Sequence, residues 1–182
     1  MGFFSGEVVR APGILAKGAP LQVKSDLNER KWKVDDFVFT SLASFTARAR
    51  VLSKTNYRFD PAAVLSPVDF ALGWNSMSDN NVLDKISISQ RSRYYKWSVM
   101  EFPIPRKEIV ESSANMHIIP ANEKVRKNIG KVKKGSLVYI RGKLVEVNRA
   151  DGWRWKSSLT RSDTGQGACE VIWVEELRVS NN

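Results

Sequence analysis

The sequence predicts a mainly β protein, either a small antiparallel β-barrel or a sandwich, with one or two short helices. Several short segments alternate apolar and polar residues, which is the pattern of half-buried strands. Gly and Pro separate these segments, and no long helical segments alternate with them as they do in βαβ folds. With 42% hydrophobic and 26% charged residues, the composition is that of a folded globular chain.

The first part of the chain predicts an arm rather than a regular element. Between residues 1 and 36, Pro12, Gly13, Gly18 and Pro20 interrupt any helical or strand period. We expect residues 1–36 to form an N-terminal arm that packs on the body or extends from it. Residues 37–182 then form a single β-rich domain.

Two early regions have clear strand periodicity. In the segment from residue 37 to residue 54, Phe45, Ala47, Ala49 and Val51 share one face, while the residues between them include three polar side chains. The alternation in residues 85–99 predicts either a hairpin with a short link at Arg91 and Ser92 or one bulged strand.

The second half of the chain predicts one helix and three strands. Residues 121–128 are the best short helix, with Gly130 as its stop. Residues 136–147 alternate as a strand that bends at Gly142. Asp151 and Gly152 then predict a turn into a strand over residues 153–157, and residues 168–177 predict the last strand.

Part of this pattern is similar to a known fold. Residues 133–146, with the sequence KKGSLVYIRGKLVE, resemble the strand of small OB-fold-like barrels that follows a Gly-led turn and bends at an internal Gly. Three further stretches, DFALGWNSMSD (69–79), SANMHIIPA (113–121) and SSLTRSDTGQGACE (157–170), together resemble a family of uncharacterised bacterial proteins. That resemblance implies no particular activity.

The net charge indicates an anionic partner. The chain carries 29 Lys and Arg against 19 Asp and Glu, which gives +10 at neutral pH. Such an excess favours association with nucleic acid or with an acidic protein. Since binding rather than catalysis is the simpler explanation, we predict a nucleic-acid binding module, with docking of an acidic protein partner as an alternative.

Eight cations and two tryptophans are the candidate nucleic-acid residues. The cations crowd the predicted helix and the strand after it, and aromatics interleave with cations nearby, as in surfaces that stack unpaired bases beside phosphates. The competing interpretation is a solvated helix face and tryptophans buried in the core. The candidates are Lys124, Arg126, Lys127, Lys131, Lys133, Lys134, Arg141, Lys143, Trp153 and Trp155.

A thiol enzyme is the catalytic alternative. The chain has one His and one Cys, His117 and Cys169, and an imidazole beside a thiol can make a nucleophile for a hydrolase or transferase. Asp163 is the candidate for orienting the imidazole, and Gly165 and Gly167 could offer backbone N–H groups to an oxyanion. The competing interpretation is a buried histidine and a cysteine that acts as a small hydrophobic residue.

Other classes of function lack support in the sequence. One His and one Cys do not make a structural zinc site, and no phosphate-binding loop or dinucleotide fingerprint occurs, so we expect no cofactor and no metal. A serine hydrolase using Ser157 or Ser158 lacks the Gly-x-Ser-x-Gly elbow. A single cysteine excludes an intrachain disulfide. No apolar run approaches 18 residues and no signal peptide is visible at the start, so we expect a cytoplasmic protein without a membrane span.

Overall fold

The computed structural model describes residues 6–26, 30–161 and 169–182, and it is mainly β. Within these residues there are ten strands, three short α-helices and one 3-10 turn. The strands are β1 (Leu21–Lys24), β2 (Lys31–Val34), β3 (Phe37–Asn56), β4 (Val68–Gly73), β5 (Ile86–Arg91), β6 (Tyr94–Val99), β7 (Ser113–Pro120), β8 (Leu137–Arg149), β9 (Arg154–Lys156) and β10 (Glu170–Ser180). The helices are α1 (Asn80–Leu83), α2 (Arg106–Glu111) and α3 (Glu123–Ile129), and the 3-10 turn is Asn75–Ser78.

The long strand β3 organises the main sheet. It pairs antiparallel with β1, β2, β4 and β8. From β4 the pairing continues antiparallel to β7, then parallel to β10, then antiparallel to β8. Because β8 also pairs with β3, this series of pairings returns to its first strand. β9 pairs with residues 146–148 of β8, beyond the part of β8 that pairs with β10. β5 and β6 form a separate hairpin.

Alternation along β3 agrees with the prediction over most of its length. Phe45, Ala47, Ala49 and Val51 are all buried in one core. Arg50, however, is also buried, although the alternation places it on the polar face. The 3-10 turn covers this side of β3, and the carbonyl oxygen of Ser78 accepts a 3.2 Å hydrogen bond from the Arg50 guanidinium.

The predicted arm contributes strands to the sheet. Its described residues include β1 and β2, both paired with β3. Closer to the start, the main-chain N–H groups of Leu15 and Ala16 donate to Ser78 Oγ at 3.0 and 3.1 Å, and Ala16 is buried in the core. Alternation over four residues is too short to predict such strands, because their partner lies elsewhere in the sequence.

The region of residues 85–99 folds as the hairpin. Ser92 and Arg93 form its two-residue link with φ of 51° and 70°, and left-handed conformation at both central residues is the type I′ pattern that suits twisted hairpins. Its inward residues pack on the outer side of β4 in a group that we call the hairpin cluster, built on Leu52, Ala71, Met77, Ile86 and Ile109 together with Ile88, Tyr95 and Trp97.

The predicted helix and the predicted bend are both present. α3 begins after Asn122, whose side chain accepts a 3.0 Å hydrogen bond from the N–H of Val125, and Gly130 follows its last residue. In β8, a Cβ on Gly142 would lie 2.0 Å from the carbonyl oxygen of Trp173. Only glycine allows β8 and β10 to approach this closely.

Two further apolar clusters lie on opposite faces of β7 and β10. The inner cluster includes Phe45, Phe70, Met116, Ile118, Ile140 and Ile172. The outer cluster is built on Phe39, Ile119, Val145, Val147 and Val171, with Trp32, Trp153, Trp155 and Trp173 packed against it. Residues that alternate with the inner cluster on these strands therefore face outward, towards the outer cluster and the hairpin.

Candidate thiol site

A buried carboxylate and the single histidine lie opposite each other on neighbouring strands. The β4–β7 register pairs Asp69 with His117, and His117 Nδ1 lies 2.9 Å from Asp69 Oδ1. Both side chains are buried, with exposures of 0% and 4%. Two residues further along each strand, Ala71 belongs to the hairpin cluster and Ile119 to the outer cluster. The pair therefore lies between these two clusters, on the outward face.

Arg93, at the hairpin turn, holds this carboxylate from the other side. Its guanidinium lies 2.7 Å from Asp69 Oδ1 and donates two 3.0 Å hydrogen bonds to Asp60. The same guanidinium lies 3.8 Å from the centre of the Tyr57 ring, and the Arg93 main-chain N–H donates to the Tyr57 hydroxyl at 2.9 Å. These contacts fasten the hairpin and the loop between β3 and β4 to one buried carboxylate.

Cys169 joins the same group of residues. Its Sγ donates a 3.6 Å hydrogen bond to the carbonyl oxygen of Arg93 and accepts one from Asn115 Nδ2 at 3.7 Å. The parallel β10–β7 register pairs Glu170 with Met116, which places Cys169 beside Asn115 on the outward face. Cys169 is a partly exposed residue.

The ionisation of His117 reflects these neighbours. Burial by itself lowers the pKa of His117, but the interactions with Asp69 and Cys169 outweigh it and raise the pKa to about 9. The raised pKa favours the imidazolium form of the ring, with Asp69 as its counter-charge. The ring of Trp155 covers it at 4.7 Å between ring centres.

Three buried polar atoms of the site have no hydrogen-bond partner among the described residues: Asp69 Oδ2, Arg93 Nε and His117 Nδ1, whose 2.9 Å contact with Asp69 Oδ1 is an ionic contact without hydrogen-bond geometry. Buried charged groups are nearly always satisfied in folded proteins. Perturbed and incompletely satisfied charges cluster at sites where a ligand or a reaction uses them.

The structure therefore joins part of the predicted thiol site and adds residues to it. His117 and Cys169 come together, but the predicted orienting residue Asp163 lies outside the described residues, as do Gly165 and Gly167. Asp69 is in contact with the imidazole instead. In the sequence, Asp69 is the one charged residue in the apolar segment VDFALG, and all six of these residues are buried in the structure. Because an unpaired carboxylate is rarely buried, a charged residue in such a segment is the signal that would have pointed to Asp69.

The candidate nucleic-acid residues divide between two regions. Lys124, Arg126 and Lys127 are exposed on α3, which contacts β7 and β10. Trp153 and Trp155 are half-buried against the outer cluster. Lys131, Lys133 and Lys134 follow α3 and are exposed, whereas Arg141 and Lys143 lie on β8.

Four of these cations are in ion pairs. Arg141 lies 2.8 Å from Glu175 and 3.3 Å from Glu176, and Lys143 lies 3.6 Å from Glu175. Arg126 pairs with Glu123 and Lys134 with Glu7. These carboxylates reduce the positive potential that the sequence predicts for this side of the protein.

The structure also bears on metal binding and on membrane spanning. The described ranges contain no group of three or more His, Cys, Asp and Glu residues placed to hold a metal ion. In the same part of the chain, no helix has the length and apolar character needed to cross a bilayer.

Comparisons of the chain with protein-family profiles, with curated proteins and with solved structures find no match. The resemblance to a family of bacterial proteins therefore stays a prediction.

Proposed function

We propose that Cys169 is the nucleophile of a thiol-dependent hydrolase or transferase. The observation that carries the proposal is the placement of Cys169, a partly exposed residue, beside a buried imidazole whose Nδ1 lies 2.9 Å from a buried carboxylate. In this arrangement Asp69 orients His117 and stabilises its charged form, as the third member of other catalytic triads does. Asn115 Nδ2 donates to the sulfur and fixes its position.

The chemistry that this arrangement supports is substitution at an electrophilic carbon. An imidazolium beside a thiol favours the thiolate, which is the reactive form. The thiolate forms a C–S bond, the bond to the leaving group breaks, and the imidazolium donates its proton to the leaving group. Water or a second acceptor then cleaves the C–S bond and regenerates the thiolate.

The proposed architecture is an OB-like barrel with this site on its outer surface. Its support is the circular pairing of five strands, β3, β4, β7, β10 and β8. In OB folds the face of the second and third strands and two adjoining loops bind ligands. Here the corresponding strands are β4 and β7, which carry Asp69 and His117. The two adjoining connections are the one from β3 to β4, which carries Asp60, and the one from β8 to β10, which carries Trp155 in β9.

Alkylation of Cys169 tests the proposal directly, because the chain has one cysteine and any adduct reports on that residue. We expect iodoacetamide to react with the folded protein at pH 7 roughly tenfold faster than with the same chain unfolded in urea, since a free thiol is only a few per cent thiolate. His117→Ala should remove most of this difference. The rates are measured by intact-protein mass spectrometry.

A matched control separates reactivity from accessibility. Ser87→Ala changes an exposed hydroxyl on the hairpin and should leave the rate unchanged. An activated ester such as p-nitrophenyl acetate should acylate Cys169 and release p-nitrophenolate in the parent protein but not in His117→Ala. Alkylation slower in the folded protein than in urea, and independent of His117, would contradict the proposal.

Binding of single-stranded nucleic acid is the second candidate function. The observations that favour it are the net charge of +10 and the aromatic side chains on the loops around the proposed barrel face. OB-like barrels bind single strands through cations that contact phosphates and aromatic rings that stack on bases.

A further inference from the structure

We propose that single-stranded nucleic acid binds at the tip of the β5–β6 hairpin and the adjoining β3–β4 loop, rather than along α3. This inference rests on the second proposed function and names its surface. The surface consists of Arg58 and Phe59 on the loop and Arg91 and Tyr94 on the hairpin, and we call it the hairpin-tip surface.

Arg93 brings these four residues together. Tyr57 and Asp60, which flank Arg58 and Phe59, both contact Arg93. Arg91 and Tyr94 are a cross-strand pair at the end of the hairpin, on either side of the Ser92 and Arg93 link. Arg91 and Tyr94 lie within two chain positions of Arg93, and Arg58 and Phe59 lie next to residues that contact it. Two chain positions span about 7 Å between Cα atoms.

Exposed aromatic side chains indicate a ligand with flat apolar faces. Phe59 is 98% exposed and Tyr94 is 37% exposed. The ion pairs of Asp60 and Arg93 hold the loop that carries Phe59 in place, so this ring is presented by a fixed support. Unpaired bases stack on such rings, whereas a duplex keeps its base faces covered.

The charges on this surface are unbalanced. Arg58 and Arg91 are exposed, and neither forms an ion pair with any residue that the structure describes. The nearest loop carboxylate, Asp60, already accepts two hydrogen bonds from Arg93. Lys96, two residues after Tyr94 on the same outer face of the hairpin, adds a further cation. Guanidinium groups bind phosphate oxygens through paired hydrogen bonds.

Ion pairs and the lack of exposed aromatic residues make α3 a poorer binding surface than the hairpin tip. Lys124, Lys127, Lys131 and Lys133 form no ion pair with the residues that the structure describes, but Arg126, Lys134, Arg141 and Lys143 have carboxylate partners. A phosphate would have to displace these carboxylates. No exposed aromatic residue occurs on α3 itself, whose sequence is EKVRKNI.

The test is fluorescence anisotropy with a labelled oligothymidylate of about 15 nucleotides, which covers the length that one such barrel occupies. We expect Phe59→Ala to weaken binding roughly tenfold through loss of one stacked base. The double variant Arg58→Ala, Arg91→Ala should reduce the slope of log K against log salt concentration by about 1.4, since each single-strand phosphate contact contributes about 0.7.

The matched control removes two exposed cations from α3. Lys124→Ala with Lys127→Ala changes the net charge by the same amount and should alter affinity less than twofold. If the α3 variant loses as much affinity as the hairpin-tip variant, or if Phe59→Ala binds like the parent, the proposed surface is wrong while nucleic-acid binding stands. Equally tight binding of a duplex also overturns the stacking surface. Negligible binding of the parent at low salt overturns both the surface and the second proposed function.

Discussion

Arg93→Ala is expected to lower the free energy of unfolding by about 3–5 kcal/mol, the range measured when one member of a buried ion pair is removed. The side chain of Arg93 is 15% exposed and that of Asp69 is fully buried. Without the guanidinium, Asp69 keeps only His117 as an ion-pair partner within the described part of the chain, and Asp60 loses the ion pair with Arg93. The hairpin also loses its fastening to the loop between β3 and β4.

Urea denaturation followed by circular dichroism measures this effect, with Arg91→Ala as the matched control. Arg91 lies two residues away and is exposed without an ion pair among the described residues, so its removal should change stability by less than about 0.5 kcal/mol. Arg93→Lys keeps the charge but not the two-pronged geometry and should recover only part of the loss. A loss below about 1 kcal/mol for Arg93→Ala would show that Asp69 does not depend on it.

Local periodicity predicted β3, β5, β6, β8, β9 and β10, since alternation depends only on neighbouring residues, but it did not predict β1, β2, β4 or β7. The faces of β3 around Phe45, the hairpin and the α3 helix all follow from it. Closure of the pairings does not, because β7 and β10 are parallel neighbours separated by more than fifty residues. Such long-range register is fixed by packing of whole strands and leaves no short motif.

The candidate site shows the same division between local and distant information. His117 and Cys169 were selected by residue type, which the sequence displays directly. The Asp69 contact depends on the β4–β7 register, and the pairing of Arg141 with Glu175 depends on the β8–β10 register. Alternation over residues 153–157 puts Trp153 and Trp155 on one face of the strand, but it does not tell which face packs on the protein. That face meets the outer cluster, because β9 pairs with β8 beside Val147.

Glu170 provides a second large effect, one that depends on pH. It follows Cys169 in the chain but points to the opposite face of β10, where it is 1% exposed. Burial raises the pKa of Glu170 from 4.5 to about 7, and the charge of Arg161 acts in the opposite direction. Arg161 Nε lies 3.9 Å from Glu170 Oε1, and Glu170 Oε2 has no partner among the residues that the structure describes.

The sign of the effect follows from the raised pKa. A carboxyl that is harder to ionise in the folded state than in the unfolded state has no effect on stability below pH 4.5, where it is neutral in both states. It opposes folding increasingly as the pH rises to about 7. The pKa of Glu170 in the folded state exceeds its ordinary value by about 2.5 units, which corresponds to about 3 kcal/mol of unfolding free energy. Glu170→Gln removes this titration while keeping the size of the side chain.

We therefore expect Glu170→Gln to match the parent protein near pH 4.5 and to exceed its free energy of unfolding by up to about 3 kcal/mol near pH 8. Urea denaturation across this range measures the difference between the two proteins, which cancels titrations that they share. Glu101→Gln, which changes an exposed carboxyl, should run parallel to the parent within about 0.5 kcal/mol. If Glu170→Gln also runs parallel, Glu170 ionises as readily in the folded chain as in the unfolded one, and Arg161 must then stabilise its charge fully.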